Sequence, residues 1–277
     1  FNTSQGVEHN AAVIGDLLRK TDRKVILVTH SKGGLDTLHA LLGVPELWGD
    51  TVIGWVALQA PFYGSPLADS TPSAINGLLL GALGGNGQAV EDLKVETRAR
   101  YMHVHKDEIR RLTRRIPVIA AFTTYESSAT VAGFASAFAR GVFSAELITD
   151  ITEVVSANYA KMPRDLPRVV TASATESVEL IRRRVADASS AAFGTIGLMT
   201  LTNVYLRDIA GVPNDGLVPK QSTVLPGATH RELTTGDHAS PVMDVDPFKN
   251  FWTVEQRNEV TLALIDEVRR QAEAARK

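Results

Sequence analysis

Serine, histidine and aspartate side chains occur in this chain in settings that suit nucleophilic catalysis. Ser31 lies in Lys24-Val-Ile-Leu-Val-Thr-His-Ser-Lys-Gly-Gly-Leu-Asp36, where a short β-branched run meets small residues that open a helix. A serine hydroxyl is a poor nucleophile until a neighbouring base takes its proton. The order of residues follows the G-x-S-x-G nucleophile elbow, with Thr29 in place of the first glycine. Such an elbow forces the serine into a strained turn that lifts its oxygen above a sheet. The helix start also favours negative charge developing nearby. Gly33 and Gly34 supply small residues where strand and helix cross closely. Further along, Asn214-Asp215-Gly216 is a turn signature in its own right, and His238 sits among small loop-forming residues in Gly236-Asp-His-Ala-Ser-Pro-Val242.

These residues need a scaffold, and the hydrophobic pattern supplies one. Val7 to Arg19 has helical spacing. Val25 to Val28 reads as a strand buried on both faces of a parallel sheet, followed by a helix to about Leu42. Val52 to Leu58 reads as the neighbouring parallel strand, joined by a right-handed crossover. Gln59 to Asp69 is a loop at the carboxyl end of that strand, the ligand side of an open α/β sheet. There Phe62 or Tyr63 is expected to line a site, and Asp69 to act as a structural cap. Pro72 to Gly87, with Leu78, Leu79, Leu80 and Leu83 among five glycines, reads as an apolar flap. Residues 70–115 thus form a lid and a connecting helix, the helix running from Glu91 to Arg115. Ile116 to Thr123 is a third strand with Pro117 at its start, where no ladder bond is lost. Residues 126–200 read as a helical cap insertion broken at Pro163 and Pro167. A final amphipathic helix runs from Phe251 to Val268. The chain is expected to form one domain carrying this cap.

Composition narrows the function. The 277 residues are 44% hydrophobic, ample for a core, and a formal net charge of −2 gives no electrostatic case for nucleic acid. The chain has no cysteine, which excludes disulfides and thiolate metal sites. No run of about 18 apolar residues could span a membrane. His9, the His103/His105 pair and Arg182 to Arg184 lie on charged helical surfaces and read as solvated. No G-x-G-x-x-G follows a strand, so a dinucleotide loop is unsupported, and no cofactor is expected.

His30-Ser31-Lys32-Gly33-Gly34-Leu35-Asp36 resembles the elbow of bacterial lipases and esterases of the α/β-hydrolase family. Gln59-Ala-Pro-Phe-Tyr-Gly-Ser-Pro-Leu-Ala-Asp69 resembles the segment after their second strand. The family carries its triad acid in an N-D-G-hydrophobic-V segment and its base on a late loop, in the order Ser, Asp, His. The resemblance therefore implies Ser31 as nucleophile, Asp215 as acid and His238 as base, with the Lys32 backbone N–H as one oxyanion donor. His30 would brace the elbow or line the site. Asp237 adjoins His238 and cannot easily reach the far side of its ring; Asp208 and His230 are placed on a helix and near a strand edge. Members that hold calcium use an acid two positions after the histidine, where this chain has Ser240, so no metal is expected despite Asp244 and Asp246.

The implied fold is an α/β-hydrolase fold, a mostly parallel sheet flanked by helices. The implied activity is hydrolysis of carboxylic esters through an acyl-enzyme, on a small-molecule or lipid ester, with Leu78–Leu83 as an interfacial contact. A polyester depolymerase, acyltransferase or thioesterase on the same triad is one alternative, and a non-catalytic protein that has kept the scaffold is another. The family's second oxyanion donor comes from a loop ahead of the elbow, and no such motif occurs before Ser31. One lost donor costs ~3 kcal/mol of transition-state stabilisation. Because Phe1 is not preceded by Met and the early strands are missing, the chain reads as an N-terminally incomplete form of its parent.

Overall fold

The computed structural model describes residues 5–69, 87–125, 202–203, 206–207, 211–242 and 252–275. The flap with Leu78–Leu83 and the cap at 126–200 lie outside the described residues.

Four strands form one parallel sheet in the order β1 (Val25–His30), β2 (Val52–Leu58), β3 (Val118–Phe122) and β4 (Thr229–Glu232). Alternation along the central strands divides the core in two. Trp55, Ala57, Val118 and Ala120 face one cluster, built with Leu35, Leu38 and Leu41. Val56, Leu58, Ile119 and Ala121 face the other, against Leu264 and Val268. Each side therefore needs its own helices, as a buried parallel sheet does.

On the first face lie α1 (Val7–Arg19), α2 (Lys32–Leu42), α3 (Val95–Val104) and α4 (Lys106–Arg115), with α1 packed on α2. On the second lies α5 (Val254–Ala274), in contact with β1, β2 and β3. The approach of α5 is close: a Cβ on Gly54 of β2 would lie 2.1 Å from Val268 Cγ1.

Several expectations shift in detail. β1 is only partly buried, with Val28 41% exposed, because among the described residues it pairs with β2 alone. The helical stretch before β3 is divided at His105 (φ −95°, ψ 13°), whose Nδ1 bonds Glu108 Oε2 at 2.5 Å. The last helix starts at Val254 rather than Phe251, since Thr253 and Gln256 form a capping box that sets its first turn. It also continues past Val268 to Ala274. β4 takes in His230, which the sequence places near a strand edge, but its bounds are not legible there: Thr-His-Arg-Glu is short, polar and largely exposed, without the apolar alternation that reveals a strand. Asp69 Oδ2 accepts the Val95 N–H at 3.2 Å, so it caps the start of α3.

Candidate active site

The carboxyl ends of the strands gather the residues singled out by chemistry. Ser31 connects β1 to α2 with φ 53° and ψ −132°, a left-handed backbone that is strained for a serine. Its N–H donates to Leu58 O at 2.9 Å, and its carbonyl accepts from Gly34 N at 2.9 Å, so both sides of the turn are tied. The turn also depends on a close crossing, because a Cβ on Gly34 would stand 2.3 Å from Ala60 Cβ. Gly33 has no such need; its Cβ would meet only Thr29 Cβ at 3.9 Å. Thr29, the departure from the elbow pattern, accepts the indole N–H of buried Trp55 on Oγ1 at 2.9 Å. That bond satisfies a donor that would otherwise be stranded in the core.

Asp215 lies in the turn after Val212-Pro213. Asn214 locks this turn through Oδ1, which accepts from Gly216 N (2.8 Å) and Asn203 Nδ2 (2.9 Å). The Asp215 carboxylate is 1% exposed. Its Oδ1 accepts the backbone N–H groups of Leu217 (3.0 Å) and Val218 (2.7 Å), leaving Oδ2 to His238 Nδ1 at 2.8 Å. The backbone doubles the link, His238 N donating to Asp215 O at 2.8 Å. His238 Nε2 then faces Ser31 Oγ at 2.8 Å. Because Asp215 Oδ2 is an acceptor, Nδ1 carries the imidazole proton and Nε2 is left to accept from the serine hydroxyl.

The loop bearing His238 is built around Asp237, whose Oδ1 accepts from Ala239 N (3.1 Å), Ser240 N (2.8 Å) and Ser240 Oγ (2.6 Å). Asp237 thus shapes the loop and leaves the imidazole to Asp215. Asp208, Asp244 and Asp246 fall outside the described residues. His230 is on β4, where Nε2 accepts the Leu225 N–H at 3.1 Å. His39 stacks on Tyr101 with ring centroids 5.6 Å apart.

Lys32 follows Ser31 as the first residue of α2, so its backbone N–H has no intrahelical acceptor. Its side chain turns into the protein, where Nζ binds Asp36 Oδ1 at 2.7 Å and Asn10 Nδ2 holds the other Asp36 oxygen at 2.9 Å. Burial pushes the Asp36 carboxyl above its ordinary value, against the pull of Lys32. His30 points at the histidine loop, with Nε2 2.9 Å from Gln59 Oε1 and 2.8 Å from His238 O. Phe62 is fully buried, edge-on to Trp55, and Tyr63 is 9% exposed, its N–H donating to Ser222 O at 3.1 Å. Both belong to the core cluster beneath the loop.

Sequence reasoning passed over Gln59, which is 0% exposed and bonds Thr123 Oγ1 and Asp237 O through its amide nitrogen. The available signal was a lone amide between Leu58 and Ala60 at a strand end, a place where a polar side chain must find partners.

A parallel sheet with helices on both faces, a strained serine after a strand and an acid and histidine on later loops is the α/β-hydrolase fold, and this chain adopts it. Its structure resembles that of the mature form of the Bacillus licheniformis lipase BlEst2, with TM-score 0.54, 19% identity, and coverage of 95% of this chain and 75% of that one. It also resembles the metagenomic carboxyl esterase MGS0156, with TM-score 0.51, 21% identity, and coverage of 95% of this chain and 63% of that one. No family model and no curated protein sequence matches the chain.

Proposed function

We propose that the chain is a serine hydrolase of carboxylic esters, with Ser31, His238 and Asp215 as its triad. The observation that carries this reading is the unbroken chain of hydrogen bonds from Asp215 Oδ2 through His238 to Ser31 Oγ, each 2.8 Å long. Ser31 Oγ attacks the ester carbonyl carbon as His238 Nε2 takes the hydroxyl proton. Asp215 holds the tautomer and stabilises the imidazolium. The tetrahedral oxyanion accepts the Lys32 N–H at the start of α2, where the helix dipole favours negative charge. Collapse breaks the bond to the leaving alcohol, which departs with the proton from His238 and leaves an acyl-serine. Water, deprotonated by the same histidine, then releases the acid and restores Ser31. The lipase and carboxyl esterase named among the structural neighbours support an ester as the acyl donor.

Ser31→Ala is expected to lower kcat on p-nitrophenyl esters by about 10⁶, the scale of loss when a serine nucleophile is removed, while thermal unfolding stays as in the unmodified chain. A fluorophosphonate probe should label Ser31 and lose its target in the variant. Turnover retained by Ser31→Ala refutes the assignment. Comparing short and long acyl chains assigns the enzyme to the esterase or the lipase type.

A further inference from the structure

Gln59 is the residue at which β2 leaves the sheet. It is fully buried and has φ 51°. Left-handed backbone is uncommon in non-glycine residues and persists where the surroundings impose it. Here the imposition is polar. The amide nitrogen donates to Thr123 Oγ1 and, at 3.1 Å, to Asp237 O. A carbonyl oxygen can only accept, so the amide nitrogen must face Asp237 and Oε1 must face His30. His30 therefore donates from Nε2, which reaches both Gln59 Oε1 (2.9 Å) and His238 O (2.8 Å).

Two side chains at the ends of β1 and β2 thus hold consecutive carbonyls in the loop that carries the imidazole, those of Asp237 and His238. Thr123, just past β3, adds a longer bond from Oγ1 to the same Asp237 O at 3.4 Å, and the remaining bonds on this loop run elsewhere: His238 N to Asp215 O, Gly236 N to Thr124 O at 3.4 Å, and the internal turn of Asp237. Among the described residues, Gln59 and His30 are what tie the loop's backbone to the strands that present Ser31.

We propose that Gln59 and His30 are positioning residues, a buried amide–imidazole clamp that fixes the histidine loop so that the His238 ring stays in line between Asp215 and Ser31. The rings of His30 and His238 are 4.7 Å apart and tilted by 44°. Burial and the neighbouring His238 hold His30 down at about 4, so it serves as a neutral donor beside a base that becomes cationic in turnover. The activity readout of this clamp rests on the hydrolase reading of the same site; the geometric readout does not.

Gln59→Gly removes the amide yet suits a φ of 51°, so the backbone is relieved rather than strained. Its kcat on a p-nitrophenyl ester and its fluorophosphonate labelling rate should fall together by about 10- to 100-fold, since a misplacement of about 1 Å can cost about 10². KM should stay unchanged, and the low-field proton resonance of His238 Nδ1–H should broaden. His30→Ala should behave alike, whereas His30→Gln, which still offers an N–H donor, should retain most of the activity. Unchanged kcat, labelling rate and Nδ1–H resonance in Gln59→Gly and His30→Ala overturn the proposal, as does a change confined to KM. If Gln59→Gly does not fold, the His30→Ala and His30→Gln pair decides by the same readouts. A wild-type chain inert to fluorophosphonate refutes the hydrolase reading alone, and the Nδ1–H resonance, which needs no turnover, then decides the clamp.

Discussion

Replacing Gly34 with alanine would place a methyl carbon 2.3 Å from Ala60 Cβ, where ordinary contact begins at 3.4 Å. Either α2 or the Ala60 backbone must move by about 1.1 Å. Two effects compete. Gly→Ala inside a helix gains about 1 kcal/mol, and overpacking costs about 1–3 kcal/mol. The net expectation is a loss of about 0–2 kcal/mol, measurable by urea denaturation. Activity is the more sensitive readout, because Ser31 immediately precedes α2 and in the proposed triad its hydroxyl meets His238 at 2.8 Å. A shift of about 1 Å there should lower kcat about a hundredfold. The compensating change is specific: in Gly34→Ala/Ala60→Gly the nearest remaining atom is Ala60 Cα at 3.5 Å, an ordinary contact. That double variant should recover most of the lost kcat, as coupled neighbours do in a double-mutant cycle. Gly33→Ala, with its nearest atom at 3.9 Å, serves as the control and should be neutral or stabilising by up to about 1 kcal/mol. Full activity in Gly34→Ala, or no recovery in the double variant, would refute the close-crossing account of how the elbow is held.

Asp215→Asn should lower kcat by about 10⁴, since the amide can present an N–H to Nδ1 and favour the wrong tautomer of His238; a loss below tenfold in steady-state assays would remove Asp215 from the proposed triad. Asp36→Ala should destabilise the fold by about 3–5 kcal/mol by leaving the Lys32 ammonium buried without its partner. Replacing both residues, as Lys32→Met/Asp36→Leu, should cost much less by the same denaturation measurement. His30 binds a proton near 6.5 when unfolded and near 4 when folded. Its depressed value makes the unfolded chain take up protons first, so its contribution is intact above pH 6.5 and is lost as the pH falls, by about 3 kcal/mol at pH 4. His30→Gln should show a correspondingly shallower fall in stability with acid; equal slopes in the two proteins would count against a buried neutral His30.

The elements legible from sequence are those whose signal is local and apolar. β2 and β3 read as unbroken apolar runs because both their faces are buried, and α2 announces itself by the small residues that open it. β4 shows in the sequence only as a strand edge near His230, because its hydrogen bonds come from β3 rather than from any pattern of its own. The start of α5 was misread because hydrophobic periodicity continues through Phe251 and Trp252, whereas the helix begins where Thr253 and Gln256 satisfy its first N–H groups. Phe62 and Tyr63 sit in a loop on the ligand side of the sheet, and aromatic rings there can point either way. Packing against Trp55 takes Phe62 into the core.

The sequence by itself determined the chemistry available: a serine in a strand-to-helix turn, an acid in an Asn-Asp-Gly turn and a histidine in a loop of small residues, in that order. Backbone preference and side-chain type are local properties, and they survive in a linear reading. Only the tertiary structure decided the distances. His238 lies 207 positions from Ser31, and its 2.8 Å contact exists because β3 and β4 add to the sheet in register beside β2. Tertiary structure also gave Gln59, Thr29 and Asp237 their tasks, since a buried donor or acceptor takes whatever partner the fold brings within reach.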